Sequence, residues 1–318
     1  MHSSASDPLI GIQVGGLFEI EAPIGRGASS RVYRARHLGL HQRVAIKVLH
    51  HEYVGTEGIR ARFHREARVA SRIAHPAVVS VLMSGELPND GITRGEAFIV
   101  YEYVDGMTLR QILDAEGRLS VGVTIGILVS VGEAVGAAHE LGIVHRDIKP
   151  ENLMVMRTEE GHRQLRVLDF GLARIYDNGE SPLTHTGAIL GTPSYLAPEG
   201  ARGQRATPSS DVYSIATVGY ECLSGAPPFH EASPIRVLMQ QIEREPPALT
   251  LASGLPTIPS AVLNVIYANL SKLPEARAAN AWLFARDLRR IAAEAGVAFE
   301  DFGVSSALWQ DSGPKALP

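Results

Sequence analysis

Two short polar strings, and the spacing between them, constrain what this chain can fold into more than any other feature. The first is His145-Arg-Asp-Ile-Lys-Pro-Glu-Asn152 and the second is Asp169-Phe-Gly171. Together they supply two carboxylates, an amide and an ammonium, which can hold a metal-bound triphosphate beside a hydroxyl and accept the hydroxyl proton. An Asp-Phe-Gly alone occurs by chance in many proteins. Both strings in this order, beside short predicted strands at 153–156 and 165–168, predict a site for phosphoryl transfer.

The composition is that of an ordinary soluble globular protein. The chain has 318 residues, of which 45% are hydrophobic and 20% charged, so it can hold one large domain or two smaller ones. Its net charge of -4 gives no reason to expect nucleic acid or an anionic membrane as a partner. The single cysteine, Cys222, cannot form an internal disulfide, which favours a reducing, cytoplasmic location.

The most apolar stretch, 121–131, is either a membrane span or a core helix. Glycines in and after it recur at the four-residue spacing seen in paired membrane helices. Glu133 ends the apolar run before it reaches the roughly 18 to 20 clean residues that a span needs. We therefore predict a buried central helix and no transmembrane segment. Residues 1–8 lack the basic and apolar pattern of a signal peptide.

The first third of the chain alternates β-branched runs with Gly or polar breaks, which indicates strands. The predicted strands are 17–24, 31–37, 43–49, 78–84 and 97–103. A segment at 57–73 has helical spacing and ends before His75-Pro76. These elements predict an antiparallel five-stranded sheet with one main helix over residues 17–104, preceded by an extension at 1–16.

Helical periodicity dominates from residue 107 onward. The predicted helices are 107–116, 120–141, 209–225, 233–243, 259–271 and 280–295. The fold class is therefore predicted to be α+β, with two lobes, a cleft between them and a hinge at 102–105. The second, mainly helical lobe covers 105–295, and residues 296–318 are predicted to form a flexible tail.

A glycine-containing segment between the first two predicted strands is a candidate phosphate loop. It runs Gly25-Arg26-Gly27-Ala28-Ser29-Ser30, and its two glycines would let backbone N–H groups approach phosphates. Taken alone, a plain hairpin turn would explain the segment at least as well. Because it precedes Val44-Ala-Ile-Lys47 on a later strand, the order of the two motifs favours nucleotide binding.

Lys47 lies on a predicted buried strand, where an unpaired ammonium would be costly, so it needs an anion. Glu66 on the following helix is the natural partner, and the α- and β-phosphates of a nucleotide are the second. The alternative for Glu66 is a solvated helix position, since Arg65 and Arg68 lie next to it.

The polar strings provide candidates for each part of the reaction. Asp147 can accept a hydroxyl proton, and Lys149 can neutralise charge on the transferred phosphoryl group. Asn152 and Asp169 supply oxygen ligands suited to a hard cation such as Mg²⁺. His145 is either a general base or a hydrogen-bonding residue that holds the loop, and the second interpretation is favoured because Asp147 already fills the base role.

With these motifs in order from about Leu17 to Ala293, the chain resembles the eukaryotic-like, Hanks-type Ser/Thr protein kinases of bacteria. The resemblance implies ATP as the phosphoryl donor, Mg²⁺ as the metal with Mn²⁺ as a substitute, and catalytic roles for Lys47, Glu66, Asp147 and Lys149. It also implies that Tyr101 is the gatekeeper at the back of the adenine pocket. The implied nucleotide contacts are Gly25, Arg26, Gly27, Ala28, Ser29, Ser30, Val32, Ala45, Lys47, Glu102, Val104 and Met154.

Motifs further along the chain extend the resemblance. Ala197-Pro-Glu199 resembles the end of an activation segment, with Arg277 as the buried partner of its glutamate. Asp211 resembles the helix residue that braces the catalytic loop. Lys149, with Thr192 in Gly191-Thr-Pro-Ser-Tyr195, matches the Ser/Thr-type pattern rather than the Tyr-type pattern. The third glycine of the phosphate loop is replaced by Ser30.

Regulation is implied by threonines between the two ends of the activation segment. Thr184 and Thr186 match the position of paired activating phosphothreonines in related kinases, and Thr192 would contact Asp147 and Lys149. A phosphate at 184 or 186 could pair with Arg146. The alternative is a polar loop without a regulatory role.

The expected function is therefore transfer of the ATP γ-phosphoryl group to Ser/Thr hydroxyls of proteins, including autophosphorylation of this chain. The alternatives are a pseudokinase scaffold and a small-molecule phosphotransferase of related fold. Lys47, Asp147, Asn152 and Asp169 disfavour the first, because pseudokinases usually lack one or more of them. The Ala-Pro-Glu segment disfavours the second. Homodimerisation, known among related kinases, is compatible with the resemblance.

Overall fold

The computed structural model describes residues 7–170, 193–249 and 257–302. Within these ranges the chain forms a strand-rich N-lobe followed by a mainly helical C-lobe, as the sequence predicts. A small sheet in the C-lobe has two of its strands, 153–157 and 163–167, between the two motif strings in sequence.

The N-lobe is an antiparallel sheet with one helix packed on it. Its strands are β1 (Gln13–Val14), β2 (Phe18–Arg26), β3 (Ser30–His37), β4 (Arg43–Leu49), β5 (Val81–Glu86) and β6 (Ala97–Glu102), and its helix is α1 (Glu57–Ala70). The strand order is β1-β2-β3-β4-β6-β5. Strand β4 thus lies in the interior between β3 and β6, and its last five residues are all half-buried or buried.

The sheet has six strands rather than the predicted five. The additional strand, β1, comes from the segment predicted to be an extension, and Val14 pairs with Phe18. The turn between them contains Gly15 and Gly16 at φ +57° and +69°, a conformation that favours glycine. A strand of two residues is too short to show alternating hydrophobicity, so the pattern did not reveal it.

The C-lobe contains seven described helices and a three-stranded sheet ordered β7-β8-β9. The helices are α2 (Leu109–Glu116), α3 (Val121–Glu140), α4 (Pro198–Ala201), α5 (Pro208–Ser224), α6 (Pro234–Glu243), α7 (Ser260–Asn269) and α8 (Ala281–Glu294), and the strands are β7 (Gly106–Thr108), β8 (Leu153–Arg157) and β9 (Arg163–Val167). Helix α2 begins two residues later than predicted because Thr108 ends β7 and also caps the helix, accepting a hydrogen bond from the Gln111 amide.

Helix α3 is long and apolar enough to cross a membrane, but most of it is buried inside the C-lobe. Its glycines explain how it packs. A Cβ added at Gly132 or Gly136 would lie 2.7 Å from the Cβ of Ala285 or Trp282, so these positions allow α8 to approach closely. The four-residue glycine spacing therefore serves helix packing in a protein core, as the sequence predicts for a central helix.

The described part of the predicted tail is packed rather than loose. Phe302 is 1% exposed and belongs to the C-lobe core. Its carbonyl oxygen accepts a hydrogen bond of 3.0 Å from the Leu165 amide on β9. This segment has no periodicity because it follows the surface of α3 in irregular conformation. Residues 303–318 lie outside the described ranges.

Replacement of Gly126 by alanine should weaken this packing. A Cβ there would overlap the Glu300 carbonyl oxygen and lie 2.8 Å from the Phe302 ring. We expect a loss of about 1–3 kcal/mol in the free energy of unfolding, measured by urea denaturation. Gly58→Ala on α1 is the control, because no atom lies within 4 Å of an added Cβ there and its φ is not positive. Equal stability of the Gly126→Ala and Gly58→Ala proteins would contradict the close packing.

Candidate active site

A buried lysine links the two lobes at the cleft. The Nζ of Lys47 on β4 lies 2.9 Å from an oxygen of Glu66 on α1 and 3.0 Å from an oxygen of Asp169. The Lys47 and Glu66 side chains are 4% and 1% exposed. The structure thus brings together three of the residues that the sequence singles out.

The electrostatics of this cluster keep Lys47 charged. Burial alone would lower the pKa of its ammonium, but the negative charges of Asp169 and Glu66 outweigh burial and raise the pKa above its usual value. Burial raises the pKa of Glu66, and the Lys47 charge opposes that shift. Lys47 therefore remains a cation throughout the physiological pH range, ready to meet the phosphates of a nucleotide.

The loop that carries Asp147 is held by its neighbours. One Asp147 carboxylate oxygen accepts hydrogen bonds from the Lys149 ammonium at 2.7 Å and from the Asn152 amide at 3.0 Å. The Asn152 amide also donates to the Asp147 backbone carbonyl at 2.8 Å. Two donors converge on one oxygen of Asp147, which fixes the carboxylate while its other oxygen receives no hydrogen bond from the described residues.

Asp211 on α5 holds the backbone of this loop through two hydrogen bonds. Its two carboxylate oxygens accept hydrogen bonds from the backbone amides of His145 at 2.7 Å and Arg146 at 2.8 Å. Arg146 has φ +69°, which is uncommon for a residue with a side chain. The bonds to Asp211 hold this strained backbone in place directly before Asp147.

The geometry favours a structural role for His145 over a role as general base. Its side chain Nδ1 lies 3.3 Å from the Asp147 amide and its Nε2 lies 2.9 Å from the Leu168 carbonyl oxygen. Nδ1 must therefore accept and Nε2 must donate, which leaves neither nitrogen for proton transfer. The ring also packs edge-on against Phe170, with centroids 4.6 Å apart.

Asn152 and Asp169 fit a hard divalent cation. The Asn152 nitrogen is used by Asp147, so its amide oxygen is the ligand that remains, and Asp169 uses only one carboxylate oxygen to bind Lys47. Among the described residues no group of three or more His, Cys, Asp or Glu side chains could hold a metal. Two oxygen ligands suit Mg²⁺, which completes its shell with phosphates and water.

The predicted phosphate loop joins β2 to β3 above this cluster. The Gly27 amide donates to the Ser30 carbonyl at 2.8 Å, and the His50 amide donates to the Ser29 carbonyl at 2.8 Å. Gly25 and Arg26 lie on β2 and are exposed, as are Gly27 and Ala28. The exposed residues 25–28 are therefore accessible to a ligand, whereas Ser29 is hydrogen-bonded to the residue that follows β4.

The residues predicted to contact adenine lie around the same cleft. Val32 on β3 is paired in register with Lys47 on β4, and Ala45 is paired with Tyr101 on β6. Met154 on β8, from the other lobe, belongs to the hydrophobic cluster that contains Ala45 and Tyr101. Glu102 ends β6, and Val104 follows it at the hinge with 8% exposure.

A second buried ion pair, within the C-lobe, joins Glu199 on α4 to Arg277 before α8. Arg277 donates to both oxygens of Glu199, at 2.8 and 2.9 Å. The Arg277 side chain is fully buried, and Ser210 on α5 adds a hydrogen bond of 2.6 Å to Glu199. The Arg277 and Ser210 contacts outweigh burial and hold the pKa of Glu199 below its usual value. This pair is the one that the family resemblance implies.

The structure also contains a polar network that sequence reasoning missed. Arg110 on α2 donates to Glu221 at 2.7 Å and to the Tyr195 hydroxyl at 2.8 Å, and that hydroxyl donates to Glu221 at 2.5 Å. Arg110 also lies 3.4 Å from Glu151 inside the first motif string. Glu221 beside the buried Cys222 was the available signal, because a glutamate within an apolar helix needs a partner.

The predicted regulatory residues cannot be placed. Thr184, Thr186 and Thr192 lie outside the described residues, as does Gly171 at the end of the second string. Their roles stay predictions.

A lysine held between a helix glutamate and a cleft aspartate, in a two-lobed fold with a braced aspartate on the second lobe, is an arrangement typical of nucleotide-dependent phosphotransferases. The family model for the protein kinase domain matches residues 18–286. The chain belongs to the protein kinase family.

Curated relatives are bacterial serine/threonine kinases. The serine/threonine-protein kinase pkn3 of Myxococcus xanthus is 37% identical over 293 residues, which cover 92% of this chain and 53% of that protein. PknB of Mycobacterium tuberculosis is 40% identical over 277 residues, which cover 86% of this chain and 42% of that protein. The chain thus spans about half the length of the curated relatives it matches.

A solved structure supports the fold independently. The crystal structure of the Mycobacterium tuberculosis PknI kinase domain matches with a TM-score of 0.65 and 26% sequence identity. The match covers 89% of this chain and 98% of that one, so it includes both lobes.

Loss of the buried Arg277–Glu199 pair should destabilise the C-lobe strongly. Arg277→Ala would leave the Glu199 carboxylate buried without its cation, so we expect the free energy of unfolding to fall by about 3–5 kcal/mol in chemical denaturation. Arg290→Ala removes an exposed pair with Glu294 at 2.8 Å and should cost about 0.3–0.5 kcal/mol. Similar losses for both variants would contradict the role given to the buried pair.

Proposed function

We propose that this chain is a Ser/Thr protein kinase that transfers the γ-phosphoryl group of ATP to serine or threonine hydroxyls of proteins. The observation that carries the proposal is the contact of Lys47 with both Glu66 and Asp169, since it joins the helix of one lobe to the metal-binding aspartate of the other. The family assignment and the names of the curated relatives support the same activity.

Asp147 is the proposed proton acceptor. Its carboxylate is held through one oxygen by Lys149 and Asn152, which leaves the other available to a substrate hydroxyl. The acceptor hydroxyl donates its hydrogen bond to Asp147, and its oxygen is thereby aimed at the γ-phosphorus. Lys149 lies close enough to Asp147 to meet the negative charge that spreads over the transferred group.

Lys47 and the phosphate loop are the proposed holders of the nucleotide. The Lys47 ammonium binds the α- and β-phosphates, while backbone amides of residues 25–30 approach the phosphate chain. Asn152 and Asp169 would hold Mg²⁺, which neutralises phosphate charge when bound. Glu66 keeps Lys47 extended into the cleft. Val32, Ala45 and Met154 enclose the adenine ring, with hinge backbone groups of 102–104 as its hydrogen-bonding partners.

The finer parts of the proposal concern specificity and location. The acceptor is proposed to be Ser/Thr rather than Tyr because Lys149 and Thr192 match the Ser/Thr-type pattern. Protein substrates, this chain among them, are favoured over small molecules because Glu199 and Arg277 hold the segment beside which a substrate peptide would dock. The buried thiol of Cys222 is compatible with action in the cytoplasm.

Removal of the proposed base or of the phosphate-binding lysine should abolish transfer. With labelled ATP and Mg²⁺, we expect Asp147→Asn and Lys47→Met to reduce autophosphorylation by at least about 100-fold, in the range of a lost general base. Phosphoamino-acid analysis of the wild type should show phosphoserine and phosphothreonine without phosphotyrosine. Tyr33→Phe changes a buried tyrosine of the N-lobe sheet and is the control for activity lost during purification and assay. Label that persists in Asp147→Asn would eliminate the proposed base, and an inactive wild type would favour the pseudokinase alternative.

Phosphorylation of the activation segment is a further proposal. A doubly charged phosphate on Thr184 or Thr186 would have Arg146 beside the catalytic aspartate as a cationic partner. We expect the Thr184→Ala, Thr186→Ala double variant to lose activity at least severalfold. Wild-type protein purified with and without phosphatase treatment should differ in the same direction. Unchanged activity after phosphatase treatment would argue against activation by phosphate.

A further inference from the structure

The hydroxyl of Tyr101 binds the same carboxylate that holds Lys47. Tyr101 lies on β6 at the back of the cleft and is 8% exposed. Its hydroxyl donates a hydrogen bond of 3.0 Å to Oε1 of Glu66. That oxygen also accepts the hydrogen bond of 2.9 Å from the Lys47 ammonium. One atom therefore receives both donors.

The sheet places the tyrosine and the lysine on one face. Ala45 and Lys47 are two residues apart on β4, and their partners on β6 are Tyr101 and Ile99. Alternate residues of a strand point to the same side, so all four side chains face α1. Tyr101 is paired with the small residue Ala45 on that face, and its hydroxyl reaches Glu66 on α1.

The buried Glu66 carboxylate depends on the hydrogen bond from Tyr101, because its second oxygen has no donor among the described residues. Within the described part of the chain, Oε2 of Glu66 is buried and has no hydrogen-bond partner. Burial raises the pKa of the Glu66 carboxyl, whereas the bonds from Lys47 and Tyr101 lower it. Loss of either donor would leave a buried carboxylate with a single hydrogen bond, which is costly.

Tyr101 is suited to be a permanent donor. Burial raises the pKa of its phenol well above the usual value, and the negative charge of Glu66 raises it further. The hydroxyl therefore keeps its proton at neutral pH. Glu66 is one of two anions beside Lys47, because Asp169 lies 3.0 Å from the same ammonium. The hydrogen bond from Tyr101 holds the Glu66 carboxylate in place even though Asp169 also attracts the ammonium.

We infer that the Tyr101 hydroxyl is a positioning group for phosphoryl transfer, acting through Glu66 to hold Lys47 toward the nucleotide phosphates. This inference rests on the proposed kinase function. The plainer interpretation is that Tyr101 only fills space, since its ring packs among Phe63, Ala67 and Val79. A phenylalanine would fill that space equally well, so the two interpretations differ in a single oxygen atom.

Tyr101→Phe tests the inference because it removes the hydroxyl and retains the ring. We expect kcat/KM for ATP to fall severalfold at neutral pH and binding of Mg·ADP, measured by calorimetry, to weaken severalfold. The acid limb of the kcat/KM profile should move to higher pH. The hydroxyl favours the charged form of Glu66, so its removal raises the pKa of that carboxyl and Glu66 is neutralised at a higher pH.

Tyr33→Phe is the matched control. Tyr33 is 1% exposed, and its hydroxyl donates at 3.0 Å to the carboxylate of Asp7 in the N-terminal segment. This variant loses the same chemical group from a buried tyrosine that also donates to a carboxylate, although Asp7 is more exposed than Glu66. Its nucleotide affinity and pH profile should match those of the wild type, even if its melting temperature falls.

A double-mutant cycle separates positioning from packing. In a Glu66→Ala background, Tyr101→Phe should have no further effect on Mg·ADP affinity, because the hydroxyl has lost the group through which it acts. An equal loss in both backgrounds would overturn the inference, as would an unchanged affinity and pH profile in Tyr101→Phe alone. A wild type that binds Mg·ADP but transfers no phosphate would refute the proposed function, while the binding cycle would still decide the role of Tyr101.

Discussion

An ammonium group in the interior of a protein requires anions around it, and much of this molecule is arranged to supply them to Lys47. The central position of β4 buries the lysine, and the face of the sheet on which it lies is covered by α1, which brings Glu66. The second anion, Asp169, comes from the other lobe, so the same charge that stabilises the N-lobe also connects it to the C-lobe. A nucleotide entering this cleft would add further negative charge to the environment of Lys47.

Two arginine side chains of the C-lobe, one buried and one half-buried, are also held by anions. Arg277 is enclosed by Glu199 and the ring of Tyr213, and Arg110 is bound by Glu221 and the Tyr195 hydroxyl. Each of these guanidinium groups has several partners within the C-lobe and links elements of that lobe. Lys47, by contrast, has a single ammonium with partners on two lobes. The arginines therefore stabilise one lobe, whereas Lys47 connects the two.

Much of the fold and of the candidate site could be predicted from the sequence. Strand and helix patterns are long in most elements, and Lys47 on an apolar strand must meet an anion, which pointed to Glu66. Other features depend on tertiary contacts that local patterns do not contain. Strand β1 is too short for periodicity, and Phe302 follows a segment whose burial comes from glycines on α3. The bond from Tyr101 to Glu66 depends on how α1 is rotated on the sheet, which no local pattern encodes.

The packing of Phe302 has a consequence for the strand that leads into the cleft. Its carbonyl holds Leu165 on β9, and Val167 on the same strand donates to the Ala77 carbonyl of the N-lobe and accepts from Val79. Asp169 follows two residues later. The last described residues are therefore hydrogen-bonded to the strand that leads to Asp169, and the same strand is hydrogen-bonded to the N-lobe. Order at position 302 and order at the joint between the lobes thus depend on one short strand.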